Sequence, residues 1–168
     1  MNDAHLHLMV NHFPIIVPIL GLLILIAGFL TKSDIVKRTA LLVFVFGALF
    51  TFPAMYTGEG AEEIAENLPG VTDNIIHMHE EKAETFAVFS YILGLLAMVG
   101  FWANRTKKSY SDYIAIGVMI FGLIVLYTGK ETGTTGGEIR HTEIRPDFKV
   151  TSETTTETKN QDVEKDDD

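Results

Sequence analysis

The residues of this chain best suited to chemistry are its six histidines: His5, His7, His12, His77, His79 and His141. A neutral imidazole is a common metal ligand and a common axial ligand of haem iron. The chain has no cysteine, which excludes disulfides, thiolate metal sites, iron-sulfur clusters and covalent attachment of haem. Any haem must therefore be held by non-covalent contacts, with histidine or methionine as its ligands.

Each histidine lies close to the end of an apolar segment. Four segments carry no charged residue, and they cover residues 14–30, 39–56, 86–103 and 113–128. Each is near the lower end of the roughly 17 to 25 residues that cross a hydrocarbon core. Four such segments in a short chain leave no polar helix faces for a water-soluble surface. The pattern predicts an all-α membrane protein, a bundle of four transmembrane helices over about residues 13–30, 38–57, 74–103 and 112–129.

Charged residues between the apolar segments predict the orientation. Two short segments are basic, and they contain Lys32, Lys37, Arg38, Arg105, Lys107 and Lys108. Residues 58–85, by contrast, are strongly acidic. Because short basic loops stay on the cytoplasmic side, both termini and the acidic segment are expected on the periplasmic side of a bacterial cytoplasmic membrane. All six histidines then share one outer layer.

The domain organisation follows from composition. Residues 1–145 are expected to form one membrane domain, and residues 146–168 a tail. Residues 151–168 are rich in threonine and acidic side chains, so they cannot bury enough apolar surface to order themselves. A disordered acidic tail is predicted. Within the outer segment, residues 60–70 predict a separate short surface helix that ends at Pro69 and Gly70.

Two short motifs occur one after the other in the first half of the chain. Residues 7–14 read His-Leu-Met-Val-Asn-His-Phe-Pro, and Thr57-Gly58 is followed by Ala61 after the second apolar segment. They resemble the His-x4-His-Phe-Pro opening and the Thr-Gly-x-x-Ala element of the bacterial membrane-protein family described as domain of unknown function 2231. Leu8 departs from that pattern, in which a proline usually follows the first histidine.

Two motifs in the second half extend this resemblance. His79-Glu80 matches the family's His-Glu, and residues 136–141 resemble its Gly-Gly-x-Leu-x-x-His ending, although no glycine follows His141. The resemblance covers roughly residues 5–145. It implies four transmembrane helices, association with haem or redox chemistry, and four motif histidines, which are His7, His12, His79 and His141.

One hypothesis is a b-type haem at the outer face. His12 opens the first long helix and His79 opens the third at a similar depth, so their imidazoles are candidate axial ligands. His7 and His141 are a second candidate pair. The glycine-rich residues 129–137 would let backbone approach a porphyrin edge, and Arg140 would offer a counter-charge to its propionates.

A second hypothesis is a copper or zinc site. His77-Met78-His79 brings imidazole and thioether together, a ligand set that suits copper, and the neighbouring carboxylates suit zinc. The candidate metal ligands are His7, His12, His77, His79 and His141.

A third hypothesis is a structural accessory subunit of a larger respiratory or transport complex. No charged residue lies at mid-membrane depth, where proton relays and ion pathways normally need one. The chain is thus expected to be an electron-transfer or accessory subunit rather than a stand-alone enzyme. Its expected partners are the lipid bilayer, a quinol or periplasmic electron carrier, and a larger complex. The net charge of -9 argues against nucleic acid.

Overall fold

Four long helices and two short elements make up the described part of the fold. The computed structural model describes residues 2–146 and residue 148, so the predicted disordered region 151–168 lies outside the described residues. The helices are α1 (Asp3–Val10), α2 (Phe13–Leu30), α3 (Asp34–Ala65), α4 (Asp73–Arg105) and α5 (Ser111–Arg140), and a 3₁₀ turn follows at Thr142–Ile144.

The four long helical segments are long and apolar enough to cross a membrane, and they cover Asp3–Leu30, Asp34–Ala65, Asp73–Arg105 and Ser111–Arg140. Large apolar side chains are exposed on each of them, among them Leu23, Phe52, Leu95 and Ile120. Outward-facing apolar side chains on every helix suit lipid, which is as apolar as they are. For the described residues, the prediction of an all-α fold with four helices long and apolar enough to cross a membrane is confirmed.

The helix starts follow the local sequence. His12 is the N-cap of α2, and Pro14 lies in its first turn, where the missing N–H costs nothing. Ser33 caps α3, and its Oγ accepts from the Val36 N–H at 3.4 Å. Thr72 precedes α4, as expected. The predicted start of α2 at the His12–Pro14 break is therefore confirmed.

The end of α3 differs from the sequence prediction. The prediction of a separate short helix over residues 60–70 is wrong, because α3 continues without a break to Ala65. The Glu66 N–H then donates to the Glu62 carbonyl at 3.0 Å. Packing supplies the reason. A Cβ on Gly60 would lie 2.6 Å from the Asp3 Cβ, so α1 contacts α3 closely there. Tertiary contact holds this stretch helical despite the poor helix propensity of glycine.

The glycine-rich stretch 129–137 also has a different role from the predicted one. It is helical, because α5 extends to Arg140. A Cβ on Gly129 would lie 3.1 Å from the Phe86 ring, and a Cβ on Gly136 would lie 2.9 Å from Cε1 of His79. Small residues let neighbouring helices approach. Phe86 and His79 therefore occupy the space beside Gly129 and Gly136.

The two basic turns share one geometry. Each preceding helix ends at a threonine, Thr31 or Thr106, and the next residue is a lysine with positive φ, 51° at Lys32 and 53° at Lys107. The residue after that bonds through its N–H to the carbonyl five positions earlier, at 3.0 Å in the first turn and 2.9 Å in the second. Both are Schellman motifs with lysine where glycine is usual.

A buried cation joins the two hairpins near these turns. Lys37 is 5% exposed, and its Nζ lies 2.9 Å from Asp34 Oδ1 and also bonds Asp112 at the start of α5. A Cβ on Gly28 would lie 2.8 Å from the Lys37 Cγ, so α2 passes directly over its stem. Lys37 therefore connects α3 to α5 and lies under α2.

Replacement of Lys37 by alanine should destabilise the bundle. The variant removes two ion pairs and the packing of the lysine stem, and we expect a loss of about 1 to 3 kcal/mol. Thermal unfolding in detergent measures this loss. Arg105→Ala, which removes an exposed basic residue at the same end, is the control and should cost less than about 0.5 kcal/mol. Equal losses in the two variants would contradict the role given to Lys37.

Candidate functional site

His7 is held on α1 by hydrogen bonds to α3. Its Nδ1 lies 3.1 Å from the Ala54 carbonyl and 3.1 Å from Thr57 Oγ1. Because a carbonyl oxygen can only accept, Nδ1 carries the proton. The Thr57 hydroxyl donates to the Pro53 carbonyl at 2.8 Å and accepts from the ring. This arrangement leaves Nε2 of the half-buried ring without a hydrogen-bond partner among residues 2–146.

His79 is held on α4 by an equivalent arrangement on α5. Its Nδ1 lies 3.1 Å from Thr135 Oγ1. The Thr135 hydroxyl lies 3.2 Å from the Glu131 carbonyl and 3.1 Å from the Thr132 carbonyl, so it donates within its own helix and accepts from the ring. The Thr132 carbonyl also lies close to the ring. Nδ1 of His79 therefore carries the proton, as it does in His7.

The two held imidazoles lie at the same end of the bundle, opposite the basic turns. Both are half-buried, and each is fixed through Nδ1. A ligand histidine usually donates its other ring N–H to a carbonyl or similar acceptor, which orients the ring and makes the free nitrogen a better ligand. His7 and His79 therefore form a pair of imidazoles ready to act as ligands.

The pairing of His12 with His79 stays a prediction. His12 is exposed at the break between α1 and α2 and makes no side-chain capping bond. His7, by contrast, lies on α1 and is held against α3 by its bonds to Ala54 and Thr57.

The remaining histidines are peripheral. His141 is exposed, and its Nδ1 lies 2.8 Å from Glu143 Oε1. The pairing of His141 with His7 stays a prediction. The backbone N–H of Glu143 and the His141 ring together lower the pKa of the Glu143 carboxyl. The side chain of His77 is 70% exposed, and its ring lies 3.7 Å from Glu80 and 3.5 Å from Glu81.

The hypothesis of a closed copper or zinc site has no support in the described residues. Within residues 2–146 and residue 148, no group of three or more histidine or acidic side chains is arranged to hold a metal ion. Glu62 and Glu80 lie together near His79. Arg140 is exposed at the end of α5, on the same side of the bundle as the pair.

The hydrogen-bonding roles of Thr57 and Thr135 were not predicted from the sequence. The sequence indicated Thr57 only as part of a motif, and it gave no indication of Thr135. One signal could have identified both, because each is followed directly by glycine, in Thr57-Gly58 and Thr135-Gly136. At Thr135 the following glycine gives the ring room beside the hydroxyl that binds it, because a Cβ at position 136 would lie 2.9 Å from Cε1 of His79.

Comparisons of the chain with family models, with curated proteins and with solved structures give no match. The function is therefore inferred from the geometry of the pair and from its surroundings.

Gly136→Ala should displace His79, because the new methyl group would lie 2.9 Å from Cε1 of the ring. NMR signals of the His79 ring, assigned with a His79→Ala variant, should shift or broaden. Gly58→Ala is the matched control. Its methyl group would lie 3.9 Å from Cε1 of His7, which is ordinary contact, and helix propensity should raise stability by up to about 1 kcal/mol. An unchanged His79 signal in Gly136→Ala would refute the tight packing.

Proposed function

We propose that this chain is a multi-pass membrane protein that binds one b-type haem at the outer end of its bundle, with His7 and His79 as axial ligands. One observation carries the proposal: two half-buried imidazoles from different helices lie at the same end of the bundle, and both have Nδ1 engaged and Nε2 without a partner among the described residues. Histidine ligands on facing helices are a recurrent way to hold a cofactor in a helix bundle.

The number of available ligands favours haem over a metal ion alone. A structural zinc site takes four protein ligands and a catalytic one takes three. The described residues offer no such group. The porphyrin supplies the equatorial nitrogens of haem iron itself, so that only axial ligands are required of the protein. Two fixed imidazoles meet that requirement.

The surrounding residues fit the needs of such a ligand pair. Ala54 and Thr57 orient His7, and Thr135 orients His79, each through Nδ1. Arg140, exposed at the same end of α5, is available as a counter-charge to propionates. When bound, the haem supplies reversible one-electron chemistry.

The location of the pair supports a role in electron transfer at one membrane surface. The basic turns lie at the opposite end, and short basic loops stay in the cytoplasm. The pair and both termini therefore face the periplasm of a bacterial cytoplasmic membrane. At that surface the haem protein exchanges electrons with a quinol or a periplasmic carrier and with a partner complex. The resemblance to the family of domain of unknown function 2231 agrees with this role, because His7 and His79 are two of its four motif histidines.

The absorption spectrum of the purified protein, oxidised and reduced, tests the proposal directly. Protein produced with ample haem should show the low-spin spectrum of a bis-histidine haem. His7→Ala and His79→Ala should each abolish or shift it, while His5→Ala and His77→Ala should leave it intact. A colourless wild-type protein would overturn the proposal and favour the accessory-subunit hypothesis. Loss of the spectrum in His12→Ala, with His7→Ala unaffected, would restore the pairing of His12 with His79.

The orientation can be tested with single cysteines, because the natural chain has none. Ser109→Cys lies in the second basic turn and Asn74→Cys lies in the first turn of α4, and both positions are exposed. In intact cells, a membrane-impermeant thiol reagent should label the cysteine at position 74 and leave the one at position 109 unlabelled. The opposite pattern would place the histidine pair on the cytoplasmic side.

A further inference from the structure

The two helical hairpins bury the same positions. The buried residues of α2 are Pro14, Pro18, Gly21, Leu25 and Gly28. When the difference in residue number between His7 and His79 is added to each of these five positions, the result is five buried residues of α4. They are Phe86, Ser90, Leu93, Ala97 and Gly100. The first helix of each hairpin therefore turns an equivalent face inward.

The second helices correspond in the same way. A shift equal to the separation of Thr57 and Thr135 relates every buried residue of α5 to a buried residue of α3. The α5 residues are Ala115, Val118, Gly122, Val125, Gly129, Thr132 and Thr135, and their α3 counterparts are Lys37, Ala40, Phe44, Gly47, Thr51, Ala54 and Thr57.

Helical periodicity alone makes buried positions recur, but it does not place the same chemical groups at corresponding positions. The same two shifts also match the groups that hold the imidazoles. Ala54, whose carbonyl accepts from the Thr57 hydroxyl at 3.2 Å, corresponds to Thr132, whose carbonyl accepts from the Thr135 hydroxyl at 3.1 Å. The glycines after the two threonines correspond as well. Asp34 corresponds to Asp112, and both carboxylates bind Lys37.

The burial pattern is therefore repeated along the chain, with α2 and α3 in one unit and α4 and α5 in the other. His7, which precedes α2, and His79, at the start of α4, occupy equivalent positions relative to the two units.

We propose that Thr57 and Thr135 are positioning residues of a single ligand site shared by the two repeats. Each hydroxyl donates to a carbonyl of its own helix and accepts from Nδ1–H of the histidine on the neighbouring helix. Each ring is thereby held with Nε2 available to a ligand between the repeats. The identity of that ligand as haem rests on the proposed function, whereas the arrangement of hydrogen bonds can be tested without haem.

Threonine suits these two positions because its hydroxyl carries a single proton. A hydroxyl has one proton, and that of Thr57 is used at 2.8 Å by the Pro53 carbonyl, so only lone pairs remain for the ring. Serine offers the same hydroxyl. Valine has the shape of threonine without the hydroxyl, so it leaves the ring with the backbone carbonyl alone.

NMR of protein labelled with ¹⁵N-histidine tests the arrangement in the absence of haem. In the ligand-free protein in detergent, at a pH where the rings are neutral, both His7 and His79 should have a protonated Nδ1 and an unprotonated Nε2. His7→Ala and His79→Ala assign the signals. A protonated Nε2 on either ring would mean that its threonine donates to the ring, and it would overturn the positioning role for that residue.

Haem titration of matched variants tests the consequence. Thr57→Val and Thr135→Val should each weaken haem binding by about 10- to 100-fold, the usual loss when the partner of a ligand histidine is removed, and should shift the midpoint potential. Thr57→Ser and Thr135→Ser should restore both. Thr51→Val is the control, because Thr51 bonds Ser90 across α3 and α4 at 2.8 Å. It should lower thermal stability without a change in midpoint potential.

The outcomes separate the two proposals. If wild-type protein binds no haem, the proposed function fails, and the tautomers of the ligand-free rings then decide the role of the threonines. If haem binds and both valine variants match wild type in affinity and midpoint potential, the positioning role is overturned and the proposed function stands. Equal effects of Thr51→Val and Thr57→Val on the midpoint potential would also overturn it.

Discussion

A buried polar group must find its hydrogen-bond partner within the protein, and this constraint accounts for several side-chain hydrogen bonds between the helices. Thr51 bonds Ser90 between α3 and α4, and the Thr132 hydroxyl donates to the Lys82 carbonyl between α5 and α4. The bonds from His7 and His79 to Thr57 and Thr135 obey the same rule. At the histidines, however, the rule is met at one nitrogen only, so a single ring both joins two helices and keeps a ligand atom available.

The repeat gives each half of the chain an equivalent histidine and threonine. Thr57 bonds His7 and Thr135 bonds His79 at the same end of the bundle. The two units differ at the basic end. There Lys37 lies at a position that holds Ala115 in the second repeat, so one cation serves the two equivalent carboxylates. This shared cation connects the two units.

The fold was largely predictable, because charge-free apolar segments of membrane length identify the helices directly, and Pro14 marks the start of α2. The extension of α3 to Ala65 was not, because it depends on the contact of Gly60 with α1, which local sequence does not encode. For the candidate site, the sequence indicated the residue type, histidine, and the helix ends at which the histidines lie. It did not indicate the bonds of His7 to Ala54 and Thr57, because they depend on how α1 packs against α3. The repeat is difficult to see in the sequence, because most of its matches are matches of burial and only a few, such as Asp34 with Asp112, are matches of residue type.

The central claim is that His7 and His79 share one ligand rather than hold one each. Native mass spectrometry of the intact protein, released from detergent after saturation with haem, counts the ligands directly. The account predicts a single haem per chain in the wild type and none in His7→Ala or His79→Ala. Two haems per wild-type chain, with one retained in each variant, would show two independent sites and contradict the shared one.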